Sequence, residues 1–369
     1  MKKKKITVYA ITKNEAKNVL SWYSSMEEAD EIIVLDTGST DDTVKLLKQC
    51  PKVIVYEKIV KPWRFDVARN ISLSYVSEDT DICVCTDLDE RFEKNWRLNL
   101  EKNWLEGATR GRYLYNWNFN EKGEPATTFY LNKIHSRHDY KWVHPVHEVL
   151  ECINKEHEIL IPNVTLNHYQ DFTKSRTSYL PLLEMSVEEC PEDDRNMHYL
   201  GREYMYYGEY DKAIATLHKH LKMKNATWKD ERCASMRYIA YSYLQKNYLE
   251  ESILWYKLAI NEAPYLREPK YDLGYLYYLN NDYDKAYYYL KNALKIKEKS
   301  LTYINEENAW NSNIYDILSI ACYYIKHYKE AIKYSKIAIR MNKDDKRLQD
   351  NYQVFKDTYH NYKQKENLT

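Results

Sequence analysis

Short apolar runs alternate with helical patterns along the first part of the chain. Ile6-Thr7-Val8-Tyr9-Ala10-Ile11, Ile32-Ile33-Val34-Leu35, Val53-Ile54-Val55-Tyr56 and Ile82-Cys83-Val84-Cys85 have the length and composition of strands. Their alternation with helices up to about residue 92 predicts βαβ units and a largely parallel sheet. Between the second and third runs, Thr40-Asp41-Asp42 offers an N-cap and an acidic first turn to a helix carrying Val44, Leu46 and Leu47. From Gly111 to about His168 the pattern becomes alternating aromatic and polar, as in Tyr113-Leu114-Tyr115-Asn116-Trp117. That alternation predicts longer, partly antiparallel strands completing the same domain.

After Cys190-Pro191-Glu192 the strand-like runs stop and aromatic residues recur at helical spacing; tyrosine supplies 38 of the 369 residues. Tyr210-Asp211-Lys212-Ala213, Tyr248-Leu249-Glu250-Glu251-Ser252, Tyr283-Asp284-Lys285-Ala286 and Tyr328-Lys329-Glu330-Ala331 share one pattern, their tyrosines standing 38, 35 and 45 residues apart. These separations lie at or above the 34-residue tetratricopeptide period. Leu200-Gly201 and Leu273-Gly274 stand where the first helix of such a repeat packs a small residue against its partner, and Pro264 and Pro269 suit a connection between repeats. An all-α tetratricopeptide-like domain over 191–360 is the reading; a generic helical bundle is its rival.

A length of 369 residues suits two domains with substantial cores. Lys+Arg and Asp+Glu balance at 55 each, so no global field favours nucleic acid or an anionic membrane. After Met1-Lys2-Lys3-Lys4-Lys5, the apolar stretch Ile6 to Ile11 is too short for a signal peptide and is stopped by Lys13, Asn14 and Glu15. No run approaches the roughly 18–20 apolar residues of a membrane span, so no transmembrane segment is expected. The 7 cysteines include no CxxC pair, which fits a reducing, cytoplasmic compartment rather than a disulfide framework or zinc site. Cys83 and Cys85 read as core.

Three polar loops follow consecutive strands. Asp87-Leu88-Asp89 succeeds the apolar run ending at Cys85-Thr86. In an extended segment its two carboxylates would face one side, where they repel unless a cation or proton lies between them. Hard oxygen ligands suit Mg²⁺ or Mn²⁺ shared with a diphosphate. Asp36-Thr37-Gly38-Ser39-Thr40 brings a carboxylate, hydroxyls and backbone N–H groups to the same sheet edge, and Thr12-Lys13-Asn14-Glu15 supplies the third loop. Neither G-x-G-x-x-G nor G-x-x-x-x-G-K-[ST] is present, so dinucleotide binding and NTP hydrolysis lack support.

In order, Thr12-Lys13-Asn14-Glu15, Ile32 through Thr43, Phe65-Asp66-Val67-Ala68-Arg69-Asn70 and Asp87-Leu88-Asp89-Glu90 resemble the family 2 glycosyltransferases of the GT-A fold. Trp142-Val143-His144-Pro145-Val146-His147-Glu148 and Leu166-Asn167-His168-Tyr169 are similar to the subgroup containing lipopolysaccharide-core glucosyltransferases. Related sequences joined to tetratricopeptide-like helices include glycosyltransferases that modify cysteine or serine in bacteriocin peptides. The resemblance implies an α/β GT-A domain over 1–186, with a Rossmann-like, mostly parallel sheet. Asp36 would contact uracil or ribose, with Thr12 and Glu15 lining that pocket. Arg69 would face the diphosphate or shape its loop, and an ordinary salt bridge is the alternative. Asp87 would hold ribose or metal, Asp89 would be the principal metal ligand, and His168 would complete the metal shell or touch the phosphates. His147 and Glu148 are the acceptor-side candidates for the base, with Glu148 orienting His147 as the other option. The downstream acidic base motif of many family 2 enzymes is missing.

The expected activity is inverting transfer from a UDP-sugar, with Mg²⁺ or Mn²⁺ at the diphosphate, to a peptide or protein acceptor held on the helical half. A cell-surface glycan is the second acceptor, and a non-catalytic repeat scaffold or a nucleotidyltransferase are the rival classes. The helical half could alternatively form a homodimer interface. Trp117, Phe119 and Trp142 are divided between an acceptor-sugar platform and core.

Overall fold

The computed structural model describes residues 3–171 and 179–366. It divides into two compact units, residues 1–191 with 301–303, and residues 192–300 with 304–369.

The first unit runs β1 (Ile6–Thr12), α1 (Val19–Met26), β2 (Glu31–Asp36), α2 (Thr43–Leu47), β3 (Val53–Glu57), α3 (Phe65–Ser74), β4 (Ile82–Thr86), β5 (Glu90–Phe92) and α4 (Trp96–Asn103). It continues through β6 (Arg110–Phe119), β7 (Pro125–Ser136), β8 (Tyr140–Val143), β9 (Val149–Cys152), β10 (Glu158–His168) and α5 (Tyr179–Glu189). The main sheet has the order β3-β2-β1-β4-β7-β6-β10-β5. β3, β2, β1 and β4 are parallel, β7 runs antiparallel to both β4 and β6, and β10 is parallel to β6. β8 and β9 form a separate antiparallel pair joined by residues 144–148.

The apolar runs are continuous because the central strands are covered on both faces. One face carries Val8, Ala10, Ile32, Val34 and Val84 against Val19, Trp22 and Met26, which recur on one side of α1. The other carries Tyr9, Ile33, Cys83 and Cys85 against Leu73 of α3 and Trp142 of β8. From β1 the chain moves outward to β2 and β3 and then crosses back to β4. The carboxyl ends of β1 and β4 therefore flank a topological switch point, where open α/β sheets place their ligand crevice. The cap of α2 differs from the sequence expectation. Asp42 makes no side-chain cap bond; Asp41 instead accepts from the backbone N–H groups of Thr43 and Ala16, at 3.1 Å each.

The second unit is all helical: α6 (Asp194–Tyr206), α7 (Tyr210–Lys222), α8 (Lys229–Gln245), α9 (Leu249–Glu262), α10 (Glu268–Leu279), α11 (Tyr283–Ala293), α12 (Ser312–Tyr324), α13 (Tyr328–Met341) and α14 (Lys346–Glu366). Four successive pairs carry the repeat. Tyr210, Tyr283 and Tyr328 each open the second helix of a pair, but in the second repeat that place belongs to Leu249, with Tyr248 outside as the N-cap. In this phase the small residues align: Gly201, Ala240, Gly274 and Ser319 on the first helices, and Ala213, Ser252, Ala286 and Ala331 on the second, all buried. The wide last spacing is the 294–311 connection between α11 and α12. No described helix is long and apolar enough to cross a membrane.

Gly201 and Gly274 are notches for leucines. A Cβ at Gly201 would lie 2.5 Å from Leu217 Cγ, and one at Gly274 2.8 Å from Leu290 Cγ. Gly201→Ala would gain about 1 kcal/mol of helix propensity but overpack the notch by about 1–3 kcal/mol. A net loss of about 1 kcal/mol is expected in urea denaturation; a more stable variant would refute the notch.

Candidate active site

The loops after β1 and β2 are tied together. Thr12 and Asp36 are register partners at the ends of adjacent strands. The carbonyl of Thr12 accepts from both the backbone N–H and the hydroxyl of Thr37, at 2.9 Å each. Asn14, at φ 56°, donates its N–H to Ser39 Oγ and accepts from the N–H of Thr40 through its side chain. The Asp36 carboxylate closes an Asx turn, accepting from the N–H groups of Gly38 and Ser39 at 2.9 Å. Gly38, at φ +111°, supplies a backbone conformation that other residues rarely adopt. Glu15 is buried and accepts from Asn18 Nδ2, while its N–H donates to Thr43 Oγ1. Thr12 Oγ1 is also buried and has no hydrogen-bond partner among the described residues, leaving a hydroxyl at the end of β1, on the register partner of Asp36.

Arg69 lies at the centre of the site. It sits on the buried face of α3 and is 3% exposed. Its Nε donates to Glu148 at 2.5 Å, Nη2 to both oxygens of Asp87 at 2.9 and 3.0 Å, and Nη1 to Cys85 Sγ at 3.3 Å. The guanidinium also lies 5.0 Å from the centre of the Trp142 ring. Burial opposes its charge, but Asp87, Cys85 and Glu148 hold its pKa above the ordinary arginine value. The rest of the Phe65–Asn70 segment clamps the β8–β9 connection: Phe65 N–H donates to the Pro145 carbonyl, and Asn70 exchanges two 2.8 Å bonds with the backbone of Trp142. This loop holds His144 and His147 at φ 76° and 50°, a costly backbone for non-glycine residues that tends to cluster at functional sites. The His147 ring meets Tyr179 edge-on.

Asp87 and Asp89 do not share one side of an extended segment. β4 ends at Thr86, and Glu90 N–H donates to the Asp87 carbonyl at 3.0 Å, closing a tight turn around buried Leu88. The turn separates the two carboxylates: Asp87 faces Arg69 and Lys133, whereas Asp89 faces His168. Burial opposes ionisation of Asp87, but Arg69 and then Lys133 hold its carboxyl well below the usual range. Glu90, fully buried, accepts from the Asp87 N–H and the Tyr115 hydroxyl at 2.8 Å each, and burial raises its pKa.

His168 arrives from the end of β10, with its register partner Glu90 on β5. Its Nδ1 lies 2.9 Å from the Trp117 carbonyl. A carbonyl only accepts, so Nδ1 carries the hydrogen, and in the neutral ring Nε2 is an acceptor. That Nε2 stands 3.5 Å from Asp89 Oδ2. Tyr169 N–H fixes the approach by donating to the Asp89 carbonyl at 2.8 Å. Two acceptors this close call for a proton or a cation, and the backbone carbonyl on the far nitrogen is the usual outer partner of a metal-binding histidine. Burial disfavours the proton, yet Asp89 and Glu90 raise the His168 pKa.

Eight of the nine candidate residues fall into three groups: Thr12, Glu15 and Asp36 at the β1–β2 edge; Arg69, Asp87 and Glu148 in one ion-pair network; Asp89 and His168 as a close pair; His147 stands apart, against Tyr179. Glu148 meets Arg69 rather than standing open on the acceptor side. Trp142 is core, 2% exposed, and donates to Tyr9 Oη. Trp117 stacks on His168 and remains 41% exposed, with Phe119 stacked on Tyr169 nearby. Sequence reasoning missed Lys133, whose ammonium lies 3.4 Å from Asp87 and 3.9 Å from Glu90. Its only signal was a lysine inside a strand otherwise rich in apolar and aromatic residues.

Residues 7–153 match the family model described as Glycosyl transferase family 2. An uncharacterized glycosyltransferase of Rickettsia prowazekii (strain Madrid E) is 43% identical over 102 residues, 27% of this chain and 27% of that protein. One of Rickettsia felis is 34% identical over 101 residues, 26% of this chain and 28% of the relative. The match thus spans under a third of the length of these curated relatives. Among solved structures, MamA (TM-score 0.37, 17% identity, 48% of this chain and 99% of that one) and Pseudomonas aeruginosa PilF (TM-score 0.38, 12% identity, 48% and 72%) are similar in part. The likeness to glycosyl transferase family 2 thus covers residues 7–153 of the first unit.

Proposed function

We propose that the first unit transfers a sugar from a UDP-sugar to a peptide or protein acceptor with inversion. The observation that carries the reading is the Asp89–His168 pair, in which the His168 tautomer is set by the Trp117 carbonyl. One carboxylate and one imidazole at a crevice suit Mn²⁺, or Mg²⁺ with more water, and Asp89 and His168 would hold it. Such an ion offsets the charge that develops on departing UDP. Asp36, with Thr12 as its register partner, takes the uracil or ribose, and Glu15 shapes that wall. Arg69 fixes Asp87 toward the ribose instead of meeting the diphosphate itself, and Glu148 holds Arg69. His147 is then the acceptor-side base: the acceptor's nucleophilic atom bonds to the anomeric carbon as the bond to UDP breaks, its proton passes to the base, and the bonding pair leaves with the phosphate oxygen.

The helical unit supports a peptide acceptor through exposed tyrosines such as Tyr241 and Tyr275, apolar surfaces with a polar tip. A glycan acceptor is favoured by a different observation, exposed Trp117 and Tyr169 beside the ligand pair, where rings can stack on a sugar.

UDP is expected to raise the melting temperature of the full chain in Mn²⁺, and much less in excess chelator. At a hundred times its dissociation constant the gain is about 2.7 kcal/mol. A shift with other nucleotides but none with UDP would overturn the donor assignment.

A further inference from the structure

A second cluster of ligating side chains lies wholly within the helical unit. Successive antiparallel helices bring the N-terminus of α6, the last turn of α7 and the first turn of α8 to the same end of the stack. Those three termini carry Asp194, His220 and Glu231, whose ligand atoms lie within 4.8 Å of one another. His220 is 0% exposed and Glu231 3%, whereas Asp194 is half-buried and opens the cluster to solvent.

The hydrogen bonding of His220 is incomplete. Ser235 Oγ lies 2.9 Å from His220 Nδ1 and 2.7 Å from His198 Nδ1. A hydroxyl has one hydrogen, so it donates to one ring and accepts N–H from the other. If His220 is the donor, its bare Nε2 stands 3.3 Å from Glu231 Oε1. Those two acceptors need a proton or a cation between them. If His220 accepts instead, its Nε2–H is buried 3.3 Å from Glu231 Oε1 but makes no well-aligned hydrogen bond to it or to any other described residue. A separation of 3.3 Å is also that of two atoms bound at about 2.0–2.1 Å to one tetrahedral ion.

We propose that Asp194, His220 and Glu231 form a zinc site that clasps three helix termini of the first repeats. His220 binds through Nε2, its ring held by Ser235, and Glu231 binds through its carboxylate. Asp194, whose Oδ1 already accepts from Asn225 Nδ2 at 3.1 Å, closes the site from the solvent side, with water as fourth ligand. One imidazole and two carboxylates in a buried setting suit Zn²⁺ better than Mg²⁺. The site is independent of the sugar-transfer reading.

The test titrates ZnCl₂ against a chromophoric chelator competing with the full chain carrying Asp89→Asn, so that the first unit contributes little. One equivalent of zinc is expected. Added His220→Gln is expected to weaken binding more than the roughly 10–100-fold that loss of an outer partner costs, and Ser235→Ala by about that amount. Exposed His360→Gln changes nothing. Co²⁺ in place of zinc should give the visible absorption of a four-coordinate ion, lost in His220→Gln. If circular dichroism shows that His220→Gln does not fold, Asp194→Asn decides the matter: it lies on a half-buried helix start and should cost at least about tenfold. No stoichiometric zinc, or affinity unchanged in the ligand variants that fold, overturns the site.

Discussion

Arg69→Met is expected to destabilise the first unit by about 3–5 kcal/mol, the usual cost of removing one partner from a buried ion pair. Methionine fills much of the arginine stem, so the loss is electrostatic rather than a cavity. Glu148, with a 10% exposed side chain, loses its charge partner, and Asp87 keeps Lys133 alone among the described cations. Arg69→Lys should not restore stability, because three acceptors in different directions need the planar fork and an ammonium is a point charge. Arg69→Met with Glu148→Gln should recover part of the loss by discharging the stranded carboxylate. Urea denaturation followed by tryptophan fluorescence measures all three. A single-variant loss below about 1 kcal/mol would mean that Arg69 is not the hub described.

The second large effect falls on activity. Asp89→Asn keeps the shape of the turn but removes the charge facing His168, and is expected to lower sugar transfer at least about a thousandfold, ~4 kcal/mol at roughly 1.4 kcal/mol per decade. Its stability should stay within about 1 kcal/mol of the unmodified chain, because the turn is closed on the Asp87 carbonyl and tied to Tyr169 through the Asp89 carbonyl, and neither bond uses the Asp89 carboxylate. Excess chelator should reproduce the loss in the unmodified protein. Activity that survives both the substitution and the chelator would sink the metal-assisted mechanism, whatever the fate of the nucleotide assignment.

Strands β1, β2 and β4 were legible because a strand covered on both faces must be apolar throughout, whereas β3, an edge strand with Ile54 exposed, was legible from its β-branched and aromatic residues. Ile82-Cys83-Val84-Cys85 falls one residue short of β4 for the simple reason that Thr86 is polar, although it is buried where it accepts from Trp22 Nε1. The helical repeats were legible from recurring tyrosines, but their phase was not. Tyr248 looks like its counterparts, and only the backbone reveals that α9 begins one residue later. The site was legible as a set of loops and illegible as a set of partners. Arg69 meets Glu148 across 79 residues of sequence, and Lys133 reaches Asp87 from an antiparallel strand whose register no local pattern specifies. The parting of Asp87 from Asp89 depends on a single backbone hydrogen bond that a strand-period reading has no means to include.

Cys83 and Cys85 lie in β4, between β1 and β7, and burial pushes their thiols up to about 12 and about 11. Cys190, by contrast, is exposed. The chain thus carries its own clock for the opening of its central strand. An alkylating reagent meets the Cys190 thiol in the native state, but reaches the β4 pair only during excursions that break the sheet. Since Cys85 Sγ accepts from Arg69, the trapping of that sulfur also records how often the ion-pair hub comes apart, with no label added to the protein.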